Sequence, residues 1–365
     1  MNITFINRMM GIKFGGGENF DLNMARALVK RGHNIRFVIG IADGYDEPIK
    51  LDDEFEVIRV KTKYLRDIHY KVKPTNIINK IISVGALEID LRIFENKVLK
   101  ALNNDNWSDI YQICGLPRLG AKLKLNNKIK SVVRWPGPPA KRRLKWMREC
   151  DVNFAHGNTM IKLKELSPDA HNIQAGVDLN KFYPLEIDNK VIRFIFVGRL
   201  IPIKRLDFLI NSFNEAYKIN NKIELLIIGN GTEKENLKKL VTSNIKFLGE
   251  MYDDLLYDNM RKSDVFCITS EYESFSMVVL EAMSSGLPII ATNVGYLPNL
   301  ITDNGILVEL DNLTQLKESI LELANNKEKR LKFGEYARNR IENEFSWDKS
   351  ALLLEDILRD KHVFE

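Results

Sequence analysis

Two glutamates eight residues apart, Glu273 and Glu281, lie within the stretch Ser270-Glu271-Tyr272-Glu273-Ser274-Phe275-Ser276-Met277-Val278-Val279-Leu280-Glu281-Ala282-Met283. Glu281 falls inside the apolar run 277–283, where a carboxylate is unfavourable unless something binds it. A buried-looking strand at 265–269 precedes the stretch, and the pattern predicts a helix from near Ser276 that stops before Gly286-Leu287-Pro288. Such a helix start, at the carboxyl end of a strand, offers free N–H groups and a positive dipole end to an anion such as phosphate. If the intervening residues are helical, the eight rises place the carboxylates about 12 Å apart along the axis. Hydrolase carboxyl pairs stand roughly 5 to 9.5 Å apart. The two acids therefore do not read as one acid/base pair, but they can hold two ends of an elongated ligand with phosphate in its middle. The plainer alternative makes Glu273 a first-turn acid favoured by the dipole and Glu281 a tilted surface residue.

Cations accompany this stretch. Gly198-Arg199-Leu200 follows a strand at 192–197, and Lys204 stands five residues after Arg199, so both are expected at the same carboxyl edge. Cations beside a helix N-terminus suit a diphosphate, although either one alone reads as a solvated loop charge. Near the start of the chain, Gly15-Gly16-Gly17-Glu18 leads into a helix and lets backbone approach a ligand. Its spacing is not Gly-x-Gly-x-x-Gly and no strand-end acid follows, which argues against a nicotinamide cofactor. Cys114, Cys150 and Cys267 are scattered without metal-ligand spacing, the five histidines likewise, and no Asp-x-Asp occurs, so no metal site is expected. The cysteines read as small buried hydrophobes in a reducing compartment.

The elements that must position these residues form two series. At 365 residues the chain exceeds the usual reach of one core, which predicts two domains. Hydrophobic content of 45% with 28% charge is that of an ordered globular protein. Strands are expected at 3–7, 35–39, 55–60, 109–113, 131–134 and 152–155, with helices at 18–30 and about 75–102. A mixed basic and aromatic stretch covers 61–73, a stiff loop Pro136-Gly137-Pro138-Pro139 follows the strand ending at Arg134, and 141–148 reads as a basic helix. Ile173-Gln174-Ala175-Gly176-Val177-Asp178, followed by Phe182-Tyr183-Pro184, reads as a strand end and an exit, and 186–190 as a linker. The second series has strands at 192–197, 223–228, 245–248, 265–269 and 288–292, helices at 206–218, 232–241 and 253–262, and a helical region from Asn312 on. The expected domains are 1–184, 185–345 and a C-terminal helix at 346–365 returning toward the first. No signal peptide is expected from residues 1–6, and no apolar run is long enough to span a bilayer. Residues 1–184 carry 31 Lys and Arg against 20 Asp and Glu, an excess of +11, whereas 185–365 carry 23 against 29, or −6. The first half is thus expected to face something anionic.

In order and spacing, several motifs together resemble the retaining glycosyltransferases of family 4. They are Gly15-Gly16-Gly17-Glu18, Gly176-Val177-Asp178 with Phe182 and Pro184, Val197-Gly198-Arg199-Leu200 with Lys204, and Ile228-Gly229-Asn230-Gly231. The most specific is Glu273 and Glu281 with Ala282-Met283 and Gly286-Leu287-Pro288. The resemblance covers nearly the whole chain and implies an α/β fold of the GT-B kind, two facing Rossmann-like doubly wound parallel-sheet domains with a cleft between them. It implies that Arg199 and Lys204 bind the donor pyrophosphate, that Glu281 binds the nucleotide ribose, and that Glu273 lies beside the donor sugar as the catalytic-side acid. Phe275, Ser276 and Met277 would hold sugar and phosphate through their backbones, with Gly229 and Asn230 also on the donor and Gly16 and Gly17 approaching it from the first domain. Many relatives have a histidine after the strand that ends here at Arg134, but this chain has Arg134-Trp135-Pro136, so Arg134 or Trp135 is the candidate for positioning the acceptor.

The expected activity is transfer of a hexose-type sugar, with retained configuration and without a metal, from a UDP- or GDP-sugar to a saccharide or lipid-linked acceptor. The resemblance and the basic first half suggest surface polysaccharide, lipopolysaccharide or glycolipid synthesis in the cytoplasm, with peripheral binding to an anionic membrane surface through the cluster Lys141, Arg142, Arg143, Lys145 and Arg148 beside Trp146. One alternative is a non-catalytic sugar-nucleotide-binding or scaffold protein. It leaves the retention of Arg199, Lys204, Glu273 and Glu281 together with less purpose. Nucleic-acid binding finds no motif, and the cations are spread over several elements.

Overall fold

A computed structural model of the protein describes residues 1–65, 77–187 and 189–360. The chain forms two compact units, Met1–Gln174 with Ser350–Glu365 and Ala175–Lys349.

In the first unit β1 (Asn2–Asn7), β2 (Asn34–Ile41), β3 (Glu56–Lys61), β4 (Ile110–Cys114), β5 (Lys130–Arg134), β6 (Val152–Ala155) and β7 (His171–Asn172) make one sheet. Its order is β3-β2-β1-β4-β5-β6-β7, and the paired strands are parallel. The second unit is built from β8 (Ile192–Val197), β9 (Ile223–Ile228), β10 (Ile245–Gly249), β11 (Val265–Ile268), β12 (Ile289–Thr292) and β13 (Gly305–Val308). These strands are also parallel, in the order β10-β9-β8-β11-β12-β13. Helices cover both faces, so central strands such as Leu225-Leu226-Ile227-Ile228 are apolar throughout rather than alternating. The helix Leu206–Ile219 shows the complementary pattern, burying Leu206, Leu209, Ile210, Phe213 and Ala216 on one side against that sheet.

Several local expectations change. Residues 173–178 do not continue a strand; His171–Asn172 pairs with β6, and Val177 makes only a single bridge to Ser346. That bridge and the burial of Phe182 in the second unit's core place 175–184 in the second unit. The basic run at 141–148 is not a continuous helix: it is a 3-10 turn, Lys141–Arg143, followed by the one-turn helix Leu144–Met147. A dense row of cations has no internal carboxylate to offset its repulsion, which disfavours a longer helix. The sequence also gave no clear sign of β13, or of the helices Pro117–Asn127 and Gly157–Lys164. The helix expected from residue 75 is described as Ile77–Ala101; its expected start, residues 66–73 of the basic stretch and residue 188 of the linker lie outside the described residues.

The closing helix, Trp347–Arg359, supplies the first unit with Ala351, Leu354, Ile357 and Leu358, all buried. Arg31 holds it there, its Nε donating to Glu355 Oε2 at 2.6 Å. Among the described residues no helix is long and apolar enough to cross a membrane.

Candidate functional site

The chemistry-bearing residues of the second unit gather where its strand order reverses. From β8 the chain steps outward to β9, while β11 pairs with the other side of β8, so the loops leaving β8 and β11 flank a switch point at the carboxyl edge. Lys204 closes the 3-10 turn Pro202–Lys204 after β8, and Glu273 lies in the loop after β11. Lys204 Nζ meets Glu273 Oε1 at 2.5 Å, and the Ser270 hydroxyl donates to the same oxygen at 2.7 Å. Glu273 is only 8% exposed, so these two donors meet the demand of a buried carboxylate.

Backbone ties fix both loops. Glu271 N donates to Ile203 O at 2.8 Å, and the Thr269 hydroxyl reaches the carbonyls of Lys204 and Arg205 at 3.2 and 3.1 Å. Arg205 takes a left-handed φ of +47°, an unfavourable conformation for a residue other than glycine, next to a site lysine. Arg199 is exposed, with neither ion pair nor hydrogen bond to its side chain among the described residues. The loop after β9 interlocks with that after β8: Gly229 has φ +140°, and a Cβ there would stand 1.9 Å from Gly198 O. Leu200 N also donates to Asn230 O at 2.8 Å.

The helix that follows Glu273 is Met277–Ser284, with Ser276 as its N-cap residue. It starts after Glu273, so the eight-rise spacing of about 12 Å, which assumes helix throughout, does not describe 273–276. Phe275 packs its ring against Tyr296 and Phe345, with centroids 5.6 and 6.4 Å apart, which orients the backbone entering the helix. Glu281 lies one turn into it. No hydrogen bond or ion pair to its carboxylate is present among the described residues, and burial pushes its pKa up to about 7. Such a group lacks a donor partner, and a ligand hydroxyl can supply one.

Residues 179–340 match the family described as glycosyl transferases group 1. An uncharacterized glycosyltransferase of Methanocaldococcus jannaschii is 35% identical over 164 residues, 43% of this chain and 45% of that protein. The family match lies within the second unit. Among solved structures, sucrose-phosphate synthase from Thermosynechococcus elongatus superposes with a TM-score of 0.79 at 18% identity, covering 100% of both chains. Anabaena HepE in complex with UDP-glucose gives 0.74 at 17%, covering 98% of this chain and 99% of that one. These likenesses establish the GT-B fold for the whole chain. The chain spans about half the length of the first curated relatives it matches.

In the first unit, Gly16 and Gly17 open the helix Gly16–Lys30, with Gly15 as the N-cap residue. Arg134 and Trp135, read from sequence as acceptor residues, are both buried, at 1% and 2% exposure. Arg134 donates to Asp21 through Nε at 2.6 Å and Nη2 at 3.0 Å, and to Gly17 O at 2.9 Å. Trp135 donates its indole N–H to Asn153 Oδ1 at 3.0 Å inside an apolar cluster. Arg134 therefore carries the glycine turn on its guanidinium rather than presenting that group to solvent.

Sequence reasoning passed over the loop after β12. Tyr296 N donates to Glu273 O at 2.9 Å, and the Thr292 hydroxyl donates to Ser270 O at 2.6 Å. The available signal was Asn293-Val294-Gly295, a glycine-bearing turn just after a buried strand.

Proposed function

We propose that this chain transfers a hexose-type sugar from a UDP- or GDP-sugar to a saccharide or lipid-linked acceptor, retaining the anomeric configuration and needing no metal. The observation that carries the reading is the pairing of Glu273 with Lys204, with Arg199 unpaired among the described residues and the helix starting at Ser276, at the switch point of a unit that matches the group 1 glycosyl transferases. In this reading Arg199, Lys204 and the N–H groups opening the helix neutralise the diphosphate as it leaves. Phe275, Ser276 and Met277 offer backbone to sugar and phosphate, and Gly229 and Asn230 border the same site. Glu281 accepts hydrogen bonds from the ribose hydroxyls. Glu273 sits by the sugar ring, where its charge favours the cationic character that develops at the anomeric carbon. The departing phosphate oxygen takes the acceptor's proton, and the new bond forms on the face just vacated.

HepE, which shares the fold, is named as a complex with UDP-glucose, which supports a nucleotide-sugar donor. The first unit takes the acceptor in this reading, with Arg134 as a positioning residue acting through Gly17. Its excess of cations suits synthesis of surface polysaccharide, lipopolysaccharide or glycolipid at an anionic membrane face.

The test combines calorimetry with UDP and GDP and turnover followed as diphosphate release from the sugar donor in excess EDTA. Glu281→Ala should weaken the preferred diphosphate roughly tenfold, the worth of one hydrogen bond to a charged group. Glu273→Ala should bind it nearly as wild type does while losing roughly a hundredfold in turnover. Equal loss of diphosphate affinity in both variants, or turnover abolished by EDTA and restored by magnesium, overturns the assignment.

A further inference from the structure

The first unit holds a polar cavity that the donor chemistry leaves unused. It measures about 190 Å³ and is walled by five cations, Arg92, Arg118, Arg142, Arg143 and Lys145, against two carboxylates, Glu88 and Glu95. The walls come from the helix Ile77–Ala101, the start of the helix Pro117–Asn127 and the turn at 141–146.

The carboxylates do not balance the cations. Glu95, 5% exposed, is taken by Arg118 in a close ion pair. Glu88 pairs with Arg142 at 2.6 Å, leaving Arg143 3.9 Å away. Arg92 likewise stands 3.9 Å from Glu95, beyond hydrogen-bond reach. Arg143 is three-quarters buried, and among the described residues its one close acceptor is Gly115 O at 2.8 Å. Burial lowers its pKa despite the neighbouring Glu88 and Glu95, as befits a guanidinium short of counter-charge. Lys145 folds over the Trp146 ring at 4.6 Å, which places a cation and an aromatic wall at the same opening.

A liquid water occupies about 30 Å³, so the cavity has room for a phosphate group and part of what bears it. Planar guanidinium groups suit its oxygens in a way that a lone ammonium does not. The cavity also adjoins the glycine turn. Arg143 bonds Gly115 O; a Cβ on Gly115 would meet Pro136 at 3.2 Å, and one on Gly17 would meet the same proline at 3.8 Å. Gly115 directly follows β4 and Gly17 opens the helix after β1, and these two strands are neighbours, so both lie at the carboxyl edge of the first sheet.

We propose that this cavity binds a phosphate group on the acceptor, so that the acceptor of the proposed sugar transfer is a phosphate-bearing molecule, either a small phosphate ester or the headgroup of a phospholipid. The inference rests on the glycosyltransferase reading for the word acceptor, but the binding itself does not.

Two probes applied to the full chain separate the sources. Calorimetry with glycerol phosphate, with UDP or GDP kept saturating so that the donor cations are occupied, reads the small ester. Sedimentation with vesicles of phosphatidic acid in phosphatidylcholine, with and without competing glycerol phosphate, reads the headgroup. Arg143→Gln should weaken whichever probe binds by roughly tenfold or more. Arg92→Gln, an exposed position, should do so as well and covers the case in which the buried change disturbs folding. Arg199→Gln should weaken the nucleotide and leave the phosphate probe alone, with the reverse for Arg143→Gln, so failure of the donor reading is seen apart from failure of this one. Binding of neither probe to wild type overturns the proposal, as does binding that Arg143→Gln and Arg92→Gln leave unchanged.

Discussion

Glu273 is buried and Glu281 half-buried, and their surroundings treat them differently. Glu273 has Lys204 and the Ser270 hydroxyl, whereas burial alone acts on Glu281 and lifts its pKa from 4.5 to about 7. Between those values the folded chain keeps a proton that the unfolded chain releases. This carboxyl's favourable contribution is therefore complete below pH 4.5, declines as pH rises, and is gone above pH 7. Glu281→Gln removes the titration, so its stability relative to wild type should rise between pH 4.5 and pH 8, by up to about 3 kcal/mol. Urea denaturation at the two pH values measures it, and a difference that does not change with pH refutes the burial argument. If Glu281 accepts from ribose hydroxyls, diphosphate binding should also release a proton near pH 7. Calorimetry in buffers of different ionisation enthalpy would detect it, and the release should vanish in Glu281→Gln.

At the scale of elements, the site depends on loops locked edge to edge. Gly295 has φ +58°, and a Cβ there would lie 2.0 Å from Glu273 O, the carbonyl that Tyr296 N holds at 2.9 Å. Gly295→Ala thus combines left-handed strain with a backbone collision that no side-chain rotation can relieve. We expect it to lose roughly 2–4 kcal/mol of stability and to cut turnover more than diphosphate affinity, because the displaced loop carries Glu273. Gly249, at φ +79°, has nothing within 4 Å of its would-be Cβ. Gly249→Ala should lose only about 1 kcal/mol, with turnover intact. Matching losses in the two variants would show that conformational strain, not contact with the Glu273 loop, sets the effect.

For the molecule as a whole, the first unit is assembled from both ends of the chain. Leu354 on the closing helix is fully buried, and Glu355 ties that helix to Arg31. Leu354→Ala should remove about 2–5 kcal/mol from the first unit. Trp107, Trp135 and Trp146 all lie in that unit and Trp347 in the other, so intrinsic fluorescence reports mainly on the first. The urea midpoint by fluorescence should fall, while the folded variant binds UDP or GDP nearly as wild type does, since Arg199, Lys204 and Glu281, the residues proposed to hold the diphosphate and ribose, belong to 175–349. An unchanged midpoint would mean that the helix is not integral to the first unit's core.

The sequence by itself determined most of the strands, since apolar cores such as 194–196 and 225–228 are buried on both faces wherever the sheet places them. It also determined the helix start at Ser276 and the candidacy of Glu273, Glu281, Arg199 and Lys204, because capping, glycine turns and an acid inside an apolar run are local signals. Pairing was decided elsewhere. Lys204 reaches Glu273 across 69 residues because β11 lies beside β8, and Arg134 reaches Asp21 across 113, which buries its guanidinium under the glycine turn. The basic run at 141–148 looked like one solvated helix, yet Arg142 and Arg143 face Glu88 from another element and line a cavity with it. Local patterns specify what each segment becomes, but strand order and side-chain packing bring distant charges together, and the energy of a buried ion pair exists only once both partners have left water.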